Sequence, residues 1–565
     1  MHYKASIAYF SMEIGLSAEI PTYSGGLGIL AGDTIKSSAD LKIPLVAVTL
    51  ISKKGYFRQD IDDSGHQIEY PIDWNPSSFM ELSPKKIKVK IEDRDVYIQS
   101  WKYKVKSITG GEILVFYLDT DVHENTVEDR NISSYLYGGD DIYRLKQEIV
   151  LGIGGVRMLR ALGYQIKKYH MNEGHASFLT LELLLMHKRN VESVWDEQLV
   201  WDDVAVKNLC VFTTHTPIEA GHDRFSYDLV KKVLGDTFPI DVLKRYGGEH
   251  QLNMTLLALN LSKFVNGVAK KHGEVSKQLF PGYEIHAITN GVHSYTWTCN
   301  SFKQLYDKYI PSWANEPELL VRVENFPDNE VWEAHIQAKK DLFNHIKATT
   351  GIELSLDGLT IGFARRFTSY KRADLLFYNL EQLMKISKKG KLQIIYAGKA
   401  HPKDTPGKNI IKKIIDFSKT INNNIKAVFL KDYNMTMALR LISGVDVWLN
   451  TPLRPREASG TSGMKAAHNG VINFSILDGW WIEGHIEGIT GWSIGPKPIE
   501  STLVSVSDMA DADDLYFKLE NIILPLYYHD KSQWIRIMKN SIGKIAYYFN
   551  SHRMMRRYVT EAYLR

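Results

Sequence analysis

The stretch LTIGFARRFTSYKRADLLFYNLEQLMKI (Leu359–Ile386) joins a short apolar run to a segment with helical apolar spacing. A strand is predicted over Leu359–Phe363 and a helix over Lys371–Ile386, with a basic turn between them. A strand followed by a crossover helix is the repeating unit of a parallel sheet that carries helices on both faces. The stretch therefore predicts an α/β architecture.

The same alternation continues through the rest of the chain. Towards the C-terminus, strands are predicted over Leu392–Ala397, Ile425–Leu430, Val445–Leu449 and Val471–Ile476, and helices over Asn409–Thr420, Asn434–Ser443 and Met464–Asn469. Towards the N-terminus, the predicted strands are Ile7–Met12, Leu45–Ser52, Ile166–His170 and Leu209–Thr214, the helices are Tyr143–Leu162 and Ala176–Lys188, and an antiparallel β insertion covers about Val89–Val122. Two doubly wound, Rossmann-like domains facing a cleft are expected.

A polar stretch with prolines, between Thr298 and Asp328, is the predicted linker. We expect a first α/β domain over residues 1–300 and a second over residues 301–565. The tail from about Tyr527 has helical spacing, and its last helices are expected to cross back to the first domain.

Composition excludes several classes of protein. The 69 Lys and Arg residues nearly balance 65 Asp and Glu, so a protein that coats nucleic acid or anionic membrane is not expected. Two cysteines, Cys210 and Cys299, are too few for a disulfide framework or a four-thiolate zinc site. No secretory signal or membrane-spanning run is found, so a soluble, cytoplasmic protein is predicted.

In open α/β sheets, ligands bind beyond the carboxyl ends of the strands, so the strand-to-helix turns are the candidate sites. The first is PTYSGGLGILAGD (Pro21–Asp33), where Gly25, Gly26 and Gly28 allow an anion to approach the backbone at a helix start. A tight turn that needs positive φ is an equally good explanation of the glycines.

The second turn is GFARRFTSYKR (Gly362–Arg372), which carries Arg365, Arg366, Lys371 and Arg372. Four cations at the end of a strand suit a doubly charged phosphate group. A solvated basic surface explains the same charges equally well.

The third turn is EASGTSGMKAAHNG (Glu457–Gly470), in which a loop of small residues, Ser459–Gly463, precedes Lys465. Loop amides can hold a phosphate while a lysine amine bonds an aldehyde, which is what a Schiff-base cofactor such as pyridoxal phosphate requires. A nucleotide-phosphate loop, or helix capping by Thr461 or Ser462 with a surface lysine, remains open as an alternative.

Further strand ends carry histidines, in HMNEGH (His170–His175) and TTHTP (Thr213–Pro217). Their spacing is not that of a helical zinc motif, so no metal is predicted. His215 lies where substrate groups collect, although a lone histidine is more often a packed residue. In ITNGVHSYTW (Ile288–Trp297), the default interpretation of Asn290 is a turn.

In this order, the segments resemble the α-glucan phosphorylases, the family of glycogen, starch and maltodextrin phosphorylases, from about Tyr9 to Asp478. EASGTSGMK is the most specific piece. The resemblance implies a GT-B-type glycosyltransferase fold with its active site between the domains. It also implies pyridoxal 5′-phosphate joined covalently to Lys465, with α-1,4-glucan and orthophosphate as partners and neither nucleic acid nor membrane. A homo-oligomer is compatible with it.

The resemblance assigns a role to each matching residue. Groups of the catalytic step match Lys465, Arg366, Lys371 and His215. Groups around the cofactor match Lys465, Gly460, Thr461, Ser462, Arg365, Tyr433 and Trp297. Substrate contacts match Glu457, Ser459, Gly25, Gly26, Asn290 and Tyr370, with Glu173 and His175 near the acceptor glucan.

The sequence also departs from the family pattern. SGTGNMK appears as SGTSGMK, so Ser462 and Gly463 alter the cofactor loop. The long members have an Arg at the position of Asn434 and an aromatic cofactor contact near Ile14, which is missing here. The chain begins almost at the catalytic region, so regulation by phosphorylation or nucleotide is not expected.

The implied reaction is reversible phosphorolysis with retention, in which orthophosphate releases α-glucose 1-phosphate from a terminal α-1,4-linked unit. The family's cofactor phosphate exchanges a proton with the substrate phosphate, which explains a basic cluster around two phosphates. The carbonyl of His215 would add electrostatic stabilisation. Two alternatives are a glycogen-synthase-like transferase that uses a sugar nucleotide, and a catalytically inactive glucan-binding regulator.

Overall fold

The computed structural model describes residues 5–190, 197–421, 425–496 and 507–565. The chain forms two compact units, and each contains a segment that is remote from the rest of it in the sequence. The first unit comprises the residues up to Phe57, Pro71–Thr289 and Met554–Arg565. The second unit comprises Arg58–Tyr70 and Asn290–Arg553.

The strands are, in chain order, β1 Ile7–Ser11, β2 Leu45–Leu50, β3 Arg58–Ile61, β4 Gln67–Tyr70, β5 Glu81–Leu82, β6 Ile87–Ile91, β7 Arg94–Lys106, β8 Glu112–Asp119, β9 Lys168–Asn172, β10 Cys210–Thr213, β11 Arg224–Ser226, β12 Gln251–Asn253, β13 Phe264–Gly267, β14 His286–Ala287, β15 Leu359–Ala364, β16 Leu392–Ala397, β17 Ile425–Leu430, β18 Val447–Asn450, β19 Ile472–Ile476 and β20 Gly491–Ile494.

The α-helices are α1 Gly26–Asp40, α2 Val127–Arg130, α3 Asp141–Ile149, α4 Gly155–Ala161, α5 Phe178–Met186, α6 Asp203–Leu209, α7 Tyr227–Leu234, α8 Ile240–Gly247, α9 Met254–Asn260, α10 Lys270–Leu279, α11 Ser294–Trp297, α12 Asn300–Tyr309, α13 Asp328–Thr350, α14 Leu380–Ser387, α15 Thr405–Thr420, α16 Met435–Gly444, α17 Ser462–Ala467, α18 Trp481–Gly484, α19 Asp508–Lys518, α20 Leu524–His529, α21 Lys531–Asn540 and α22 Ser551–Tyr558.

The sheet of the first unit has the order β14-β13-β10-β9-β1-β2-β8-β7-β5, with β6 paired to β7. Strands β14 to β8 in this order are parallel, whereas β5, β6 and β7 pair antiparallel, as predicted for the insertion. β2 and β8 lie on one side of β1, whereas β9, β10, β13 and β14, which come later in the sequence, lie on the other side. The strand order therefore reverses between β1 and β9. In a doubly wound sheet, ligands bind at this topological switch point.

Both faces of this sheet are buried. Along β1, Ala8 and Phe10 belong to one apolar core, whereas Ile7 and Tyr9 belong to another. Alternate residues of a strand point to opposite faces, so the two cores cover the two faces of the sheet. A parallel sheet must be covered in this way, which explains the continuous apolar runs in the sequence.

The second unit contains a fully parallel six-stranded sheet of order β17-β16-β15-β18-β19-β20. β15, β16 and β17 occupy one half of the sheet, and β18, β19 and β20 occupy the other half, as in a dinucleotide-binding fold. The switch point is therefore between β15 and β18. The strands predicted in this half are confirmed, and the α/β class is confirmed in both units.

Two sequence predictions were wrong in detail. The helix predicted over Lys371–Ile386 is instead two 3-10 turns followed by α14, because Arg372 adopts a left-handed backbone conformation (φ 44°) that ends the first turn. The predicted linker after Thr298 instead contains α12 and a 3-10 helix over Pro317–Asn325, whose apolar side chains are buried. Among the described residues, none of the helices is both long and apolar enough to cross a membrane.

Candidate active site

In the second unit, the switch point brings together side chains that follow β15 and β18. Arg365, directly after β15, donates from Nη1 to Oδ1 of Asn450, the last residue of β18, at 2.9 Å. Its Nη2 donates to Oε2 of Glu457 at 2.7 Å. Lys371 donates to the same oxygen at 2.6 Å. Strand order thus joins residues that are far apart in the sequence.

Glu457 is the shared anion of this cluster. Burial alone would raise its pKa, but the charges of Arg365 and Lys371 outweigh burial and lower the pKa to about 2. The carboxylate is therefore ionised throughout the neutral range, and it holds both cations in place.

Lys465, in α17, is 8% exposed, and its Nζ lies 4.1 Å from the centre of the Trp297 ring. Asn469 connects the two residues, because its Nδ2 donates to the Trp297 carbonyl at 2.8 Å and to the Lys465 carbonyl at 3.1 Å. Lys465 and Trp297, which were both predicted to lie around the cofactor, are therefore neighbours in the structure. A surface lysine, the simpler alternative for Lys465, is excluded by its burial.

The loop before Lys465 approaches its neighbours closely. Ser462 does not cap α17 with its side chain; its Oγ accepts from Trp448 Nε1 at 2.9 Å. A Cβ added at Gly463 would lie 2.2 Å from Oδ1 of Asn473, so only glycine fits there. Thr461 precedes α17 without a side-chain capping bond, and Gly460 has a positive φ of 72°.

Of the four cations after β15, Arg372 serves a different purpose from the other three. Its guanidinium donates to the Thr451 carbonyl at 3.0 Å and pairs with Asp508 and Asp511. It is 6% exposed and fixes the chain after β18, so the expectation that it belongs to a phosphate cluster was wrong. Arg366 is exposed, and the Tyr370 ring lies 4.3 Å from Nζ of Lys371.

Tyr433 lies between β17 and α16. It precedes Asn434, the residue that stands where the long members of the family have an arginine. The Asn434 side chain accepts from the Met437 backbone N–H at 3.0 Å and so caps α16. An arginine has no oxygen for this task, which gives Asn434 a structural reason in this chain.

Asn290 also lies in the second unit and is buried. Its carbonyl accepts from Arg553 Nη2 at 3.0 Å. Within the ranges that the structure describes, its Oδ1 has no hydrogen-bond partner. A Cβ at the adjacent Gly291 would lie 2.1 Å from the Asn550 carbonyl, so this glycine permits a close backbone approach, which is more than a simple turn requires.

In the first unit, Glu13 follows β1 and orders the glycine loop. Its Oε2 accepts from the backbone N–H groups of Ser24 at 2.6 Å and Gly25 at 3.2 Å. Its Oε1 accepts from the Tyr137 hydroxyl at 3.0 Å. The Gly25 amide is thus already bonded to Glu13, while α1 begins at Gly26.

Glu173 follows β9, on the other side of the same switch point. It is buried, and its φ of 75° is strained for a residue with a side chain. Its carboxylate accepts from the backbone N–H of His215 at 2.7 Å and the hydroxyl of Thr216 at 3.0 Å. These bonds fix the segment after β10 against the end of β9.

His215 and His175 are both neutral. Burial, with smaller effects of nearby histidines, lowers the pKa of His215 to about 3, and its Nε2 lies 2.6 Å from Asn172 Oδ1. Burial and the charge of Arg144 lower the pKa of His175 to about 3. Arg144 Nη2 lies 3.0 Å from His175 Nε2, and a guanidinium can only donate, so the proton of His175 is on Nδ1. In the described part of the chain, this N–H has no acceptor.

Each unit thus gathers its own predicted residues at a switch point: Gly25, Gly26, Glu173, His175 and His215 in the first unit, and Arg365, Lys371, Glu457, Ser459 and Lys465 in the second. Sequence reasoning missed Glu13, Tyr137 and Asn450, which bond to the predicted residues or their loops. A polar residue directly after an apolar strand is the signal that would have found Glu13 and Asn450. Tyr137 carries no such signal.

Comparisons with known proteins show which family the chain is similar to. A family model described as carbohydrate phosphorylase matches residues 224–488. Maltodextrin phosphorylase of Thermococcus litoralis is 42% identical, over 99% of this chain and 70% of that protein. Glycogen phosphorylase of Aquifex aeolicus is 38% identical, over 99% of this chain and 86% of its own length. Glycogen phosphorylase of Mycobacterium tuberculosis is 36% identical, over 99% of this chain and 70% of that protein.

These relatives confirm the resemblance predicted from the sequence motifs. The similarity extends over both units, so it includes the residues of both switch points. The chain therefore belongs to the carbohydrate phosphorylase family, whose members are glycosyltransferases with the GT-B type of fold.

Proposed function

We propose that this chain is an α-1,4-glucan phosphorylase, which uses orthophosphate to release α-glucose 1-phosphate from the end of a glucan reversibly and with retention. The observation that carries the proposal is the buried Lys465 beside Trp297, in a chain similar over nearly its whole length to a maltodextrin phosphorylase. A glycogen-synthase-like transferase or an inactive regulator would not need an amine at this position.

The residues around Lys465 fit pyridoxal 5′-phosphate. Lys465 supplies a buried amine for the aldehyde, and Trp297 supplies an apolar ring face beside it. Arg365 Nε is a buried donor that lacks an acceptor among the described residues, so a phosphate oxygen would satisfy it. Gly460, Thr461, Ser462 and Tyr433 complete the proposed set. When bound, the cofactor supplies a phosphate that can exchange a proton near neutral pH.

The basic residues would allow two phosphates to lie close together. Arg365 and Lys371 are held by Glu457, so they require little rearrangement when an anion binds. Arg366 is exposed, and its guanidinium has the geometry to bind orthophosphate in a bidentate manner. In the first unit, Gly26 would present a backbone donor to phosphate at the start of α1, while the Gly25 amide, which donates to Glu13, would hold the shape of the loop.

The sugar contacts are divided between the units. We assign glucan binding to the first unit, through Glu173, His175 and His215, and cofactor and phosphate binding to the second. The Nδ1–H of His175 is a buried donor suited to a sugar hydroxyl. In the second unit, Glu457, Ser459, Tyr370 and the Oδ1 of Asn290 would bind the glucosyl unit. The role proposed for the carbonyl of His215, in the first unit, is electrostatic stabilisation of the developing positive charge.

The setting of the enzyme is also part of the proposal. Cys210 and Cys299 are free thiols, which suits a reducing cytoplasm. Glucan and orthophosphate are the proposed partners, without nucleic acid or membrane, and a homo-oligomer is compatible with this function.

The test is to replace the proposed cofactor lysine. Lys465→Ala should lose both vitamin B6 phosphate, measured as cofactor released by acid, and the formation of glucose 1-phosphate. Lys303→Ala is the matched control, because Lys303 also lies over an aromatic ring, 3.9 Å from the centre of Tyr295. It should keep both properties. Phosphorolysis by Lys465→Ala would refute the assignment.

A further inference from the structure

Asp478 lies beyond the end of β19 and is 4% exposed. Its Oδ2 accepts from the backbone N–H of Glu457 at 2.9 Å. Its Oδ1 accepts from the backbone N–H of Gly479 at 2.9 Å. One buried carboxylate therefore joins the loop that carries Glu457 to the turn that follows β19.

The same turn makes a second contact with this loop. The Trp480 backbone N–H donates to the Ser459 carbonyl at 2.9 Å. Gly479 has a φ of 55°, and a Cβ added there would lie 2.3 Å from the Ser459 carbonyl oxygen. The two backbones are thus packed directly together. Since Arg456–Ser459 form neither helix nor strand, these contacts determine where the loop lies.

Glu457 is consequently fixed at both ends. Arg365 and Lys371 hold its carboxylate, and Asp478 holds its backbone. We propose that Asp478 is a positioning residue, which sets the Glu457–Gly460 loop for the glucosyl unit without touching the substrate. This inference rests on the proposed function, because that function gives Glu457 and Ser459 their sugar contacts.

The chemistry of the site explains why the residue is an aspartate. A carboxylate offers an acceptor oxygen to each of the two amides, whereas an asparagine would turn its own NH2 towards one of them. Burial raises the pKa of Asp478 to about 7, and the charge of Glu457 adds to this effect. Lys371 opposes the rise, and Arg454 is the other charged group that interacts with Asp478. Protonation near neutral pH would remove one of the two acceptors.

The first test compares Asp478→Asn with Asp514→Asn. Asp514 is a matched control, since its Oδ2 accepts the Gly495 backbone N–H at 2.7 Å but does not contact the loop. Asp478→Asn should raise the KM for maltodextrin about tenfold and change the KM for phosphate by less than about twofold. The control should change neither. Equal rises in both KM values, or equal behaviour of the two variants, would overturn the inference.

The second test uses the unaltered chain and does not depend on turnover. Binding of maltotriose without phosphate is followed by tryptophan fluorescence at about pH 6 and about pH 8. The affinity should be about threefold or more lower at the acidic pH, where Asp478 is protonated. Affinity that does not change with pH would overturn the inference. A chain that binds in this pH-dependent way but makes no glucose 1-phosphate would refute the proposed function while supporting the role of Asp478.

Discussion

At the scale of single residues, Glu13 shows how one carboxylate can shape the glycine loop that we propose binds phosphate. It accepts from two successive backbone amides, and the Tyr137 hydroxyl bonds its other oxygen. Glu13→Gln would turn an NH2 group towards one of these donors and displace the glycine loop. We expect the KM for phosphate to rise about tenfold, and the KM for glucan to rise much less.

Steady-state kinetics with each substrate varied in turn measures this ratio. Glu182→Gln is the control, because Glu182 is also a buried carboxylate of the first unit but pairs with Arg157. A ratio of KM values that Glu13→Gln leaves unchanged would show that Glu13 has no part in phosphate binding.

The sequence identified which residues are unusual more reliably than it identified their structural roles. It found the four cations after β15, but Arg372 is taken up by Asp508 and Asp511, more than a hundred positions along the chain. It found Asn434 as a departure from the family, but its capping of α16 depends on backbone geometry. Such roles depend on contacts that no local pattern records.

At the scale of elements, two buried glutamines bind the hairpin β3–β4 to the rest of the second unit. Gln67 accepts from the Ala400 backbone N–H at 2.9 Å and donates to the Ala400 carbonyl at 2.9 Å. Gln59 bonds the backbone N–H of Asp432 at 2.9 Å. Because Asp432 directly precedes Tyr433, the hairpin also supports the turn proposed to line the cofactor.

Gln67→Ala should therefore lower the unfolding free energy of the second unit by about 1–3 kcal/mol, because it leaves the Ala400 amide and carbonyl unpaired. Denaturant unfolding monitored by tryptophan fluorescence measures this loss. Gln382→Ala, at a half-buried position in the same unit, should cost less than about 0.5 kcal/mol. Equal losses would contradict the role of the hairpin.

A buried ion pair joins α13 to the sheet of the second unit. Lys339 donates to Asp446 Oδ2 at 2.7 Å, and His335 Nε2 lies 2.8 Å from Oδ1. Burial opposes ionisation of Asp446, but Lys339 and His335 outweigh it and lower its pKa. Because the folded pKa is below the unfolded value, the stabilisation is complete above the ordinary aspartate pKa and is lost as pH falls through the folded pKa.

Lys339→Met leaves a carboxylate buried without its cation, so it should destabilise the second unit by about 3–5 kcal/mol at neutral pH. Urea unfolding at a series of pH values checks both statements. The variant should lose less stability than the unaltered chain as the pH falls through the acidic range. Parallel pH profiles would contradict the assignment of this dependence to Asp446.

At the scale of the whole molecule, the C-terminal segment Met554–Arg565 belongs to the first unit. The Tyr563 hydroxyl lies 2.7 Å from His170 Nδ1, and the Tyr558 hydroxyl lies 3.1 Å from Thr213 Oγ1. Met554, Met555 and Tyr558 are part of an apolar core of this unit. The last residues of the chain therefore complete a domain that its first residues begin.

Removal of the residues after Arg553 should expose that core and make the first unit sensitive to protease. Tyr563→Phe should cost about 1 kcal/mol of stability, because it removes only the bond to His170. Tyr548→Phe, at an exposed tyrosine, is the control and should be silent. Limited proteolysis and thermal unfolding measure these effects, and a truncated chain as resistant as the complete one would contradict them.

Local patterns predicted the central strands of both sheets because buried parallel strands are continuous apolar runs. They missed β13, β14 and β20, which are short and lie at or next to a sheet edge. They could not predict that Arg58–Tyr70 belongs with the second half of the chain, since Gln59 and Gln67 look like ordinary surface residues of a hairpin. Likewise, no motif in the sequence distinguishes Asp478. Its proposed positioning role is inferred from its hydrogen bonds to two backbone amides.

The most direct measurement of the central claim is product analysis of the purified chain incubated with maltodextrin, with and without orthophosphate. Chromatography should find α-glucose 1-phosphate only when orthophosphate is present, together with a glucan shortened from its end. Free glucose as the product, transfer that requires a sugar nucleotide, or the absence of any product from a chain loaded with pyridoxal phosphate would contradict the account.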